Sequence, residues 1–304
     1  MSAFAPGLVH TPVTPFTPER RIDHDCYAKL IAFHIRNGAD ALALPMHAGE
    51  SVSLTDAERR MLLEFAIKSV ASRVPVIAHV SDAGTGIAAD LARHAEAAGA
   101  AAIVATTPYY WTPPAAMLLE HFAQIGAAVK IPLYVYNAPE EMHGTRISAE
   151  LCLKLIERTA NFAGVVDLSL DWHFMIELLT YGRRKRPDFA LVAGTEHLVS
   201  AAAIGATAMF APLAGIAPRL VRELYDLCRK DRLADARVAQ EAIAALRHLL
   251  QAGGAGSLKA ALSAMGRDCG VPRPPLQALD AANAARLAAD LAAIAALRGE
   301  PRGW

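Results

Sequence analysis

Apolar residues along this chain gather into short, nearly unbroken runs, and longer amphipathic stretches lie between them. The runs cover 7–14, 41–46, 75–80, 101–106, 131–136, 163–167, 189–193 and 206–211. Strands that are apolar on both faces predict a buried parallel sheet. The amphipathic stretches, at 24–37, 55–71, 86–98, 114–128, 148–159, 171–181, 197–204 and 217–230, predict a helix after each strand. The joints repeat. Asn37-Gly38-Ala39, Ala98-Gly99-Ala100 and Ile204-Gly205-Ala206 each close a helix with a glycine suited to the left-handed conformation. Arg73-Val74-Pro75 and Lys130-Ile131-Pro132 instead open a strand at proline, where no ladder donor is needed. Eight strand–helix units close most naturally into a (β/α)8 barrel, with a doubly wound open sheet as the rival. No Gly-x-Gly-x-x-Gly follows a strand, which weakens the rival. Three more helices, at 233–252, 256–266 and 275–298, then form an appendage over residues 231–304, packed on a barrel of residues 1–230.

Composition narrows the function classes. The 304 residues suit one barrel domain, and 54% hydrophobic residues supply its core. A formal net charge of +0 argues against a nucleic-acid partner. The one basic cluster, Arg183-Arg184-Lys185-Arg186, reads as a solvated turn. Cys26, Cys152, Cys228 and Cys269 form no CxxC pair, which predicts free thiols in a cytoplasmic protein. No basic patch followed by an apolar run marks a signal peptide. The alanine-rich C-terminal stretch carries Arg286, Asp290 and Arg298, so no membrane span is expected.

In such a barrel the reacting groups stand where strands run into the following loops. Those positions hold His10 and Thr11, Met46 to Glu50, His79, Thr106 to Tyr110, Tyr136-Asn137, Val166-Asp167, Gly194 to His197, and Pro212-Leu213. They are rich in His, Tyr and Glu, side chains able to move protons. None is a lysine. Lys29, Lys68 and Lys154 fall on helices, Lys130 and Lys185 precede strands, Lys230 ends the eighth helix and Lys259 lies in the appendage. A side-chain Schiff base needs a lysine amine beside the substrate carbonyl.

Five motifs carry a resemblance. Thr11-Pro12-Val13-Thr14-Pro15-Phe16, Gly49-Glu50-Ser51, Thr107-Pro108-Tyr109-Tyr110, Tyr136-Asn137-Ala138-Pro139 and Lys259-Ala260-Ala261-Leu262 resemble, in order and spacing, those of the dihydrodipicolinate synthase / N-acetylneuraminate lyase family. The resemblance runs from about residue 7 to about residue 280. It implies a barrel with C-terminal helices, usually a homotetramer, performing pyruvate-dependent aldol or dehydration chemistry. Residue by residue, Tyr136 matches the proton-relaying tyrosine and Tyr110 the tyrosine that enters a neighbouring subunit's site. Gly49 and Glu50 match the end of the family's Gly-Thr-Thr-Gly-Glu loop, whose threonines are replaced by His47 and Ala48. The Gly-Ile-Lys stretch bearing the Schiff-base lysine reads Gly164-Val165-Val166 here, and the carboxylate-holding arginine falls near Glu141.

These departures argue against the family's reaction. Val166 removes the amine, Ala48 an oxyanion donor, and Glu141 swaps a positive charge for a negative one. At an effective dielectric of ~20, two charges in contact interact by ~4 kcal/mol, so a carboxylate beside Glu141 would be repelled. A neutral or cationic ligand is expected instead.

The sites then divide as follows. Tyr136, His47 and Tyr110 are candidate acid–base residues, His47 adding an imidazole of unperturbed pKa near 6.5 where the family has a hydroxyl. Thr11, Ala48, Gly49, His79, Glu141, Val166, Glu196 and Met209 are candidate ligand contacts. For His47 the plain alternative is filling the threonine's space; for His79, a hydrogen-bonded structural histidine; for Glu50, a loop-backbone anchor; for Met209, core packing. His10, His47, His79 and Glu196 carry ligand chemistry for a divalent metal, but no His-x-x-x-His spacing supports one, so neither metal nor cofactor is assigned. Two function classes follow: a lyase, hydratase or isomerase acting without a Schiff base on a small molecule, or a non-catalytic metabolite-binding or regulatory protein. Either is expected as a homo-oligomer, dimer or tetramer, with no nucleic-acid or membrane partner.

Overall fold

The computed structural model describes residues 4–138, 145–251 and 253–304. Eight parallel strands close into a barrel in chain order: β1 (Leu8–His10), β2 (Ala41–Leu44), β3 (Val76–His79), β4 (Ala102–Thr106), β5 (Leu133–Asn137), β6 (Phe162–Asp167), β7 (Ala190–Ala193) and β8 (Ala208–Ala211). Their helices are α1 (His24–Arg36), α2 (Asp56–Val70), α3 (Thr85–Ala98), α4 (Ala115–Ala127), α5 (Ala149–Arg158), α6 (Trp172–Lys185), α7 (Leu198–Ala203) and α8 (Pro218–Arg229). Then come α9 (Leu233–Gln251), α10 (Gly254–Ala264) and α11 (Ala281–Ala293). The predicted first strand was too long. Beyond His10 the chain leaves the sheet, because Pro12 and Pro15 cannot donate to a ladder. The last predicted helix is shorter too, running over Ala281–Ala293 before a 3₁₀ segment at Ala295–Gly299.

Successive side chains of a strand point to opposite faces, and the barrel separates them into two cores. Leu8, Leu42, Ala105, Val165 and Met209 face the helices. Val9, Ala43, Val104, Tyr136, Val166, Val192 and Phe210 fill the lumen. Small lumen residues such as Ala41, Ala43, Ala102 and Ala208 make room for Tyr134, Tyr136 and Phe210, so the barrel is packed rather than open. Register pairs Tyr136 with Val166, Val166 with Val192, and Val192 with Ala208, placing these residues at one level of the lumen.

The C-terminal helices cover the mouth where the strands end. α10 packs on the 3₁₀ turn His47–Gly49 as well as on α9 and α11. A buried ion pair holds it there: Lys259 Nζ lies 2.7 Å from Glu50 Oε1, both side chains sealed from solvent. Lys259 also sits over the Phe16 ring at 4.2 Å and donates to the Val271 carbonyl. The second Glu50 oxygen accepts from the Arg273 backbone N–H at 2.8 Å. Arg273 in turn forks onto Glu58 at 2.8 and 2.7 Å, the residue that completes the Thr55 capping box of α2. Burial pushes the Lys259 ammonium's pKa down, and the Glu50 charge opposes that shift.

Removing one member of a buried pair strands the other charge, which typically destabilises by about 3–5 kcal/mol. Lys259→Met should therefore lower thermal stability sharply, and Lys259→Met with Glu50→Gln should recover most of the loss. Melting curves of the two variants measure this. A single variant no less stable than the double one would mean the pair does not tie α10 to the barrel.

Candidate active site

A cavity of about 400 Å³ opens at the strand ends beneath α9 and α10. Four of the expected residues line it: Thr11 beyond β1, His47 and Ala48 on the turn after β2, and Tyr136 on β5. Tyr136 is buried at 5% exposure, its ring 6.4 Å from that of Phe210. Its backbone is fixed from both sides. Thr106 Oγ1 donates to the Tyr136 carbonyl at 3.1 Å, and Asn137 Nδ2 donates to Asp167 Oδ1 at 2.6 Å, joining the ends of β5 and β6. Ser169 Oγ holds the same carboxylate, whose burial pushes its pKa up. His47 opens the 3₁₀ turn and is exposed, free to meet a ligand from the solvent side.

The remaining expected residues stand elsewhere. Val166 is fully buried in the lumen cluster beside Tyr136 and does not reach the cavity surface. Gly49 is a backbone element, since a Cβ there would stand 3.2 Å from the Pro12 carbonyl oxygen and 3.3 Å from Thr14 Oγ1. Met209 faces the helices, and its neighbour Phe210 takes the lumen position, a register difference of one residue. His79 is pinned by Ser81 Oγ at 2.7 Å. That oxygen also accepts from the Thr106 N–H, which ties His79 to the end of β4. Glu196 is fully buried, taking the Leu213 N–H at 2.6 Å, Arg247 Nη1 at 2.9 Å and Thr195 Oγ1 at 3.1 Å. Tyr110 is fully exposed with φ at +82°, so within one chain it does not join Tyr136 and His47. Glu141 lies outside the described residues.

Sequence reasoning missed Arg247, which lines the cavity from α9. The signal was there. The buried face of α9 runs through Ala236, Ala239, Ile243, Leu246 and Leu250, and Arg247 stands four residues after Ile243 and three before Leu250. A charged residue on that face needs a buried partner, and Glu196 supplies it.

His10 turns away from the lumen onto α1, its Nδ1 3.0 Å from His34 Nδ1. The strand-end histidines and Glu196 thus meet different partners, and among the described residues no three His, Cys, Asp or Glu side chains gather into a metal-binding group. Among them, too, no helix is long and apolar enough to cross a membrane.

The closed eight-stranded βα barrel, with a cavity at its strand ends under a helical cover, is of the (β/α)8 class. Residues 5–294 match the model of the dihydrodipicolinate synthetase family, and the chain belongs to that family. It is 30% identical to the 4-hydroxy-tetrahydrodipicolinate synthase of Methanopyrus kandleri over 274 residues, 89% of this chain and 90% of that one. It is 31% identical to a DapA-like lyase of Halobacterium salinarum over 288 residues, 94% of this chain and 93% of that one. Among solved structures, dihydrodipicolinate synthase from Aquifex aeolicus superposes with a TM-score of 0.89 at 28% identity, covering 95% of this chain and 97% of that one. YagE of E. coli K12, solved in complex with pyruvate, superposes with a TM-score of 0.90 at 26% identity, covering 96% and 99%.

The buried histidines carry a prediction of their own. Burial pushes His34 down to about 3, helped by the charge of Arg267, and His79 down to about 3, helped by the charges of Arg59 and His47. The unfolded chain therefore takes up protons at these sites from about pH 6.5 downward while the folded chain does not, so stability falls with pH across that window. Between pH 7 and pH 5 each should remove about 2 kcal/mol. Urea unfolding at the two pH values should show this, with His34→Gln flattening the dependence by its share. An unchanged slope in that variant would contradict it.

Proposed function

We propose that this chain is an acid–base enzyme of the lyase, hydratase or isomerase type that works on a small metabolite without a Schiff base, with Tyr136 and His47 as its proton-transfer residues. One juxtaposition supports this reading. Tyr136 and His47 line the same cavity, and none of the described side chains lining it is a lysine. Residues 1–3, 139–144 and 252 contain no lysine in the sequence either. By the family resemblance, Val166 stands where the Schiff-base lysine would be, and in the fold it is a buried lumen residue beside Tyr136. A phenol and an imidazole on one cavity wall are both side chains able to pass protons to and from a bound substrate. Such a pair typically contributes ~10²–10⁴-fold, so the substrate must bring an activated C–H bond or a good leaving group.

Tyr110 belongs to the same proposal through a second copy of the chain. A large aromatic residue held at positive φ and fully exposed is a strained and poorly placed surface residue in a monomer. In a homo-oligomer it would reach a neighbour's Tyr136 and His47, as the resemblance implies. The proposed setting is the cytoplasm, with free thiols.

Borohydride reduction in the presence of pyruvate should leave the intact mass of the protein unchanged. A reduced pyruvyl adduct on any lysine would overturn the reading. Val166→Lys alone should not give good synthase activity. A thermal-shift screen of small metabolites, followed by turnover assays on the hits, supplies the substrate. His47→Ala and Tyr136→Phe should each then lower kcat by ~10²–10⁴-fold, and the double variant should lose less than the product of the two. Binding without turnover for every hit would instead favour the metabolite-binding alternative, and full activity in His47→Ala would return that residue to a space-filling role.

A further inference from the structure

The cavity has one charged wall. Among the described residues lining it, Arg247 is the only Lys, Arg, Asp or Glu side chain. Its counter-ion, Glu196, does not line the cavity and already accepts the three donors named above, from Leu213, Thr195 and Arg247 itself. The guanidinium is not saturated. Arginine presents five N–H donors, and Arg247 directs Nη1 to Glu196 while its Nε is buried with no hydrogen-bond partner. A planar, permanently charged donor group with unused N–H bonds, beside apolar residues such as Leu250, Leu258 and Phe210, is built to receive an oxyanion.

We infer that Arg247 anchors the carboxylate of a small organic acid in this cavity, with Glu196 as the residue that positions it. The inference deepens the acid–base reading by naming the substrate class, and it rests on that reading only for the chemistry at the ligand's other end. A monoanion fits better than a phosphate monoester dianion, because the described lining offers no second fixed cation. The expectation of a neutral or cationic ligand rested on Glu141, which lies outside the described residues. The unused donors of the guanidinium on the cavity wall point the other way.

Isothermal titration tests this without any turnover. The probes are three- to six-carbon hydroxy acids, their primary amides and sn-glycerol 3-phosphate, titrated into the full-length protein. At least one acid should bind about tenfold more tightly than its amide, and more tightly than the phosphate ester. Arg247→Met alone would leave Glu196 buried and unpaired, so the informative variant is Arg247→Met with Glu196→Gln, whose fold is checked by circular dichroism and melting. It should bind acid and amide equally, while His47→Ala should keep the preference for the acid. Equal binding of every acid and amide by the native protein, no acid binding at all, or an acid preference that survives in the folded double variant would each overturn the inference. Tighter binding of the phosphate ester would overturn the carboxylate assignment. Because the readout is affinity, loss of the acid–base reading through an active His47→Ala leaves this test standing.

Discussion

Two charges withdrawn from water organise the mouth of this barrel. Placing Lys259 against Glu50 in a dry interface costs several kcal/mol per ion, and the arrangement persists only because each ion finds further partners. Glu50 takes the Arg273 N–H, and Lys259 takes the Phe16 ring and the Val271 carbonyl. The consequence is geometric. Glu50 follows directly on the turn that carries His47 and Ala48, while Lys259 follows directly on Leu258 in the wall of α10. One contact therefore fixes both the floor and the roof of the cavity. α9 packs mainly on α8 and α7 and also on α10, and Arg247 is held in the cavity wall by Glu196 beyond β7.

The fold was legible because its signals are redundant. Eight buried strands each gave a short apolar run, five of them opened by a glycine or proline joint, and a misplaced boundary did not change the count. β1 shows the limit of such reading. Val13 and Phe16 are as buried as strand residues, yet they pack beneath α1 and α10 outside the ladder. Hydrophobicity reports burial, and only the missing proline donors report where pairing stops.

The site was legible in part, and parity explains much of the rest. Knowing that a residue ends a strand does not say which face it takes, and one residue of register separates Met209 among the helices from Phe210 in the lumen. The same ambiguity hid the fate of His10, which pairs with His34 across the barrel–helix layer. Glu196 was found by its place at a strand end, but its role depends on a partner fifty-one residues away in sequence. Arg247 lay in a segment read as appendage, where local pattern predicts a helix and says little about which barrel wall it will meet. Tyr136 and His47 were readable because motif order supplied what periodicity could not.

These placements constrain what chemistry the cavity can support. A Schiff base supplies a cationic electron sink at the reacting carbon; in the reading proposed above, the fixed cation among the described residues lining the cavity is Arg247, which belongs to a cover helix and is already shared with Glu196. If that guanidinium holds a carboxylate, its charge is used for binding in ground state and transition state alike, and uniform binding of that kind does not speed the chemical step. Charge developing at the reacting carbon must then be met by proton transfer. That requires a donor able to lose its proton as charge builds, and His47 and Tyr136 are the two such groups on the cavity wall. The exposed position of His47 bears on this directly. A solvent-linked imidazole can be reprotonated from water between turnovers, whereas Tyr136, buried at 5% exposure, depends on a neighbour to exchange its proton. In the acid–base reading proposed above, the histidine standing where the family resemblance expects a threonine is the solvent-linked group on the same cavity wall as the buried tyrosine, and so the group through which that tyrosine would regain its proton.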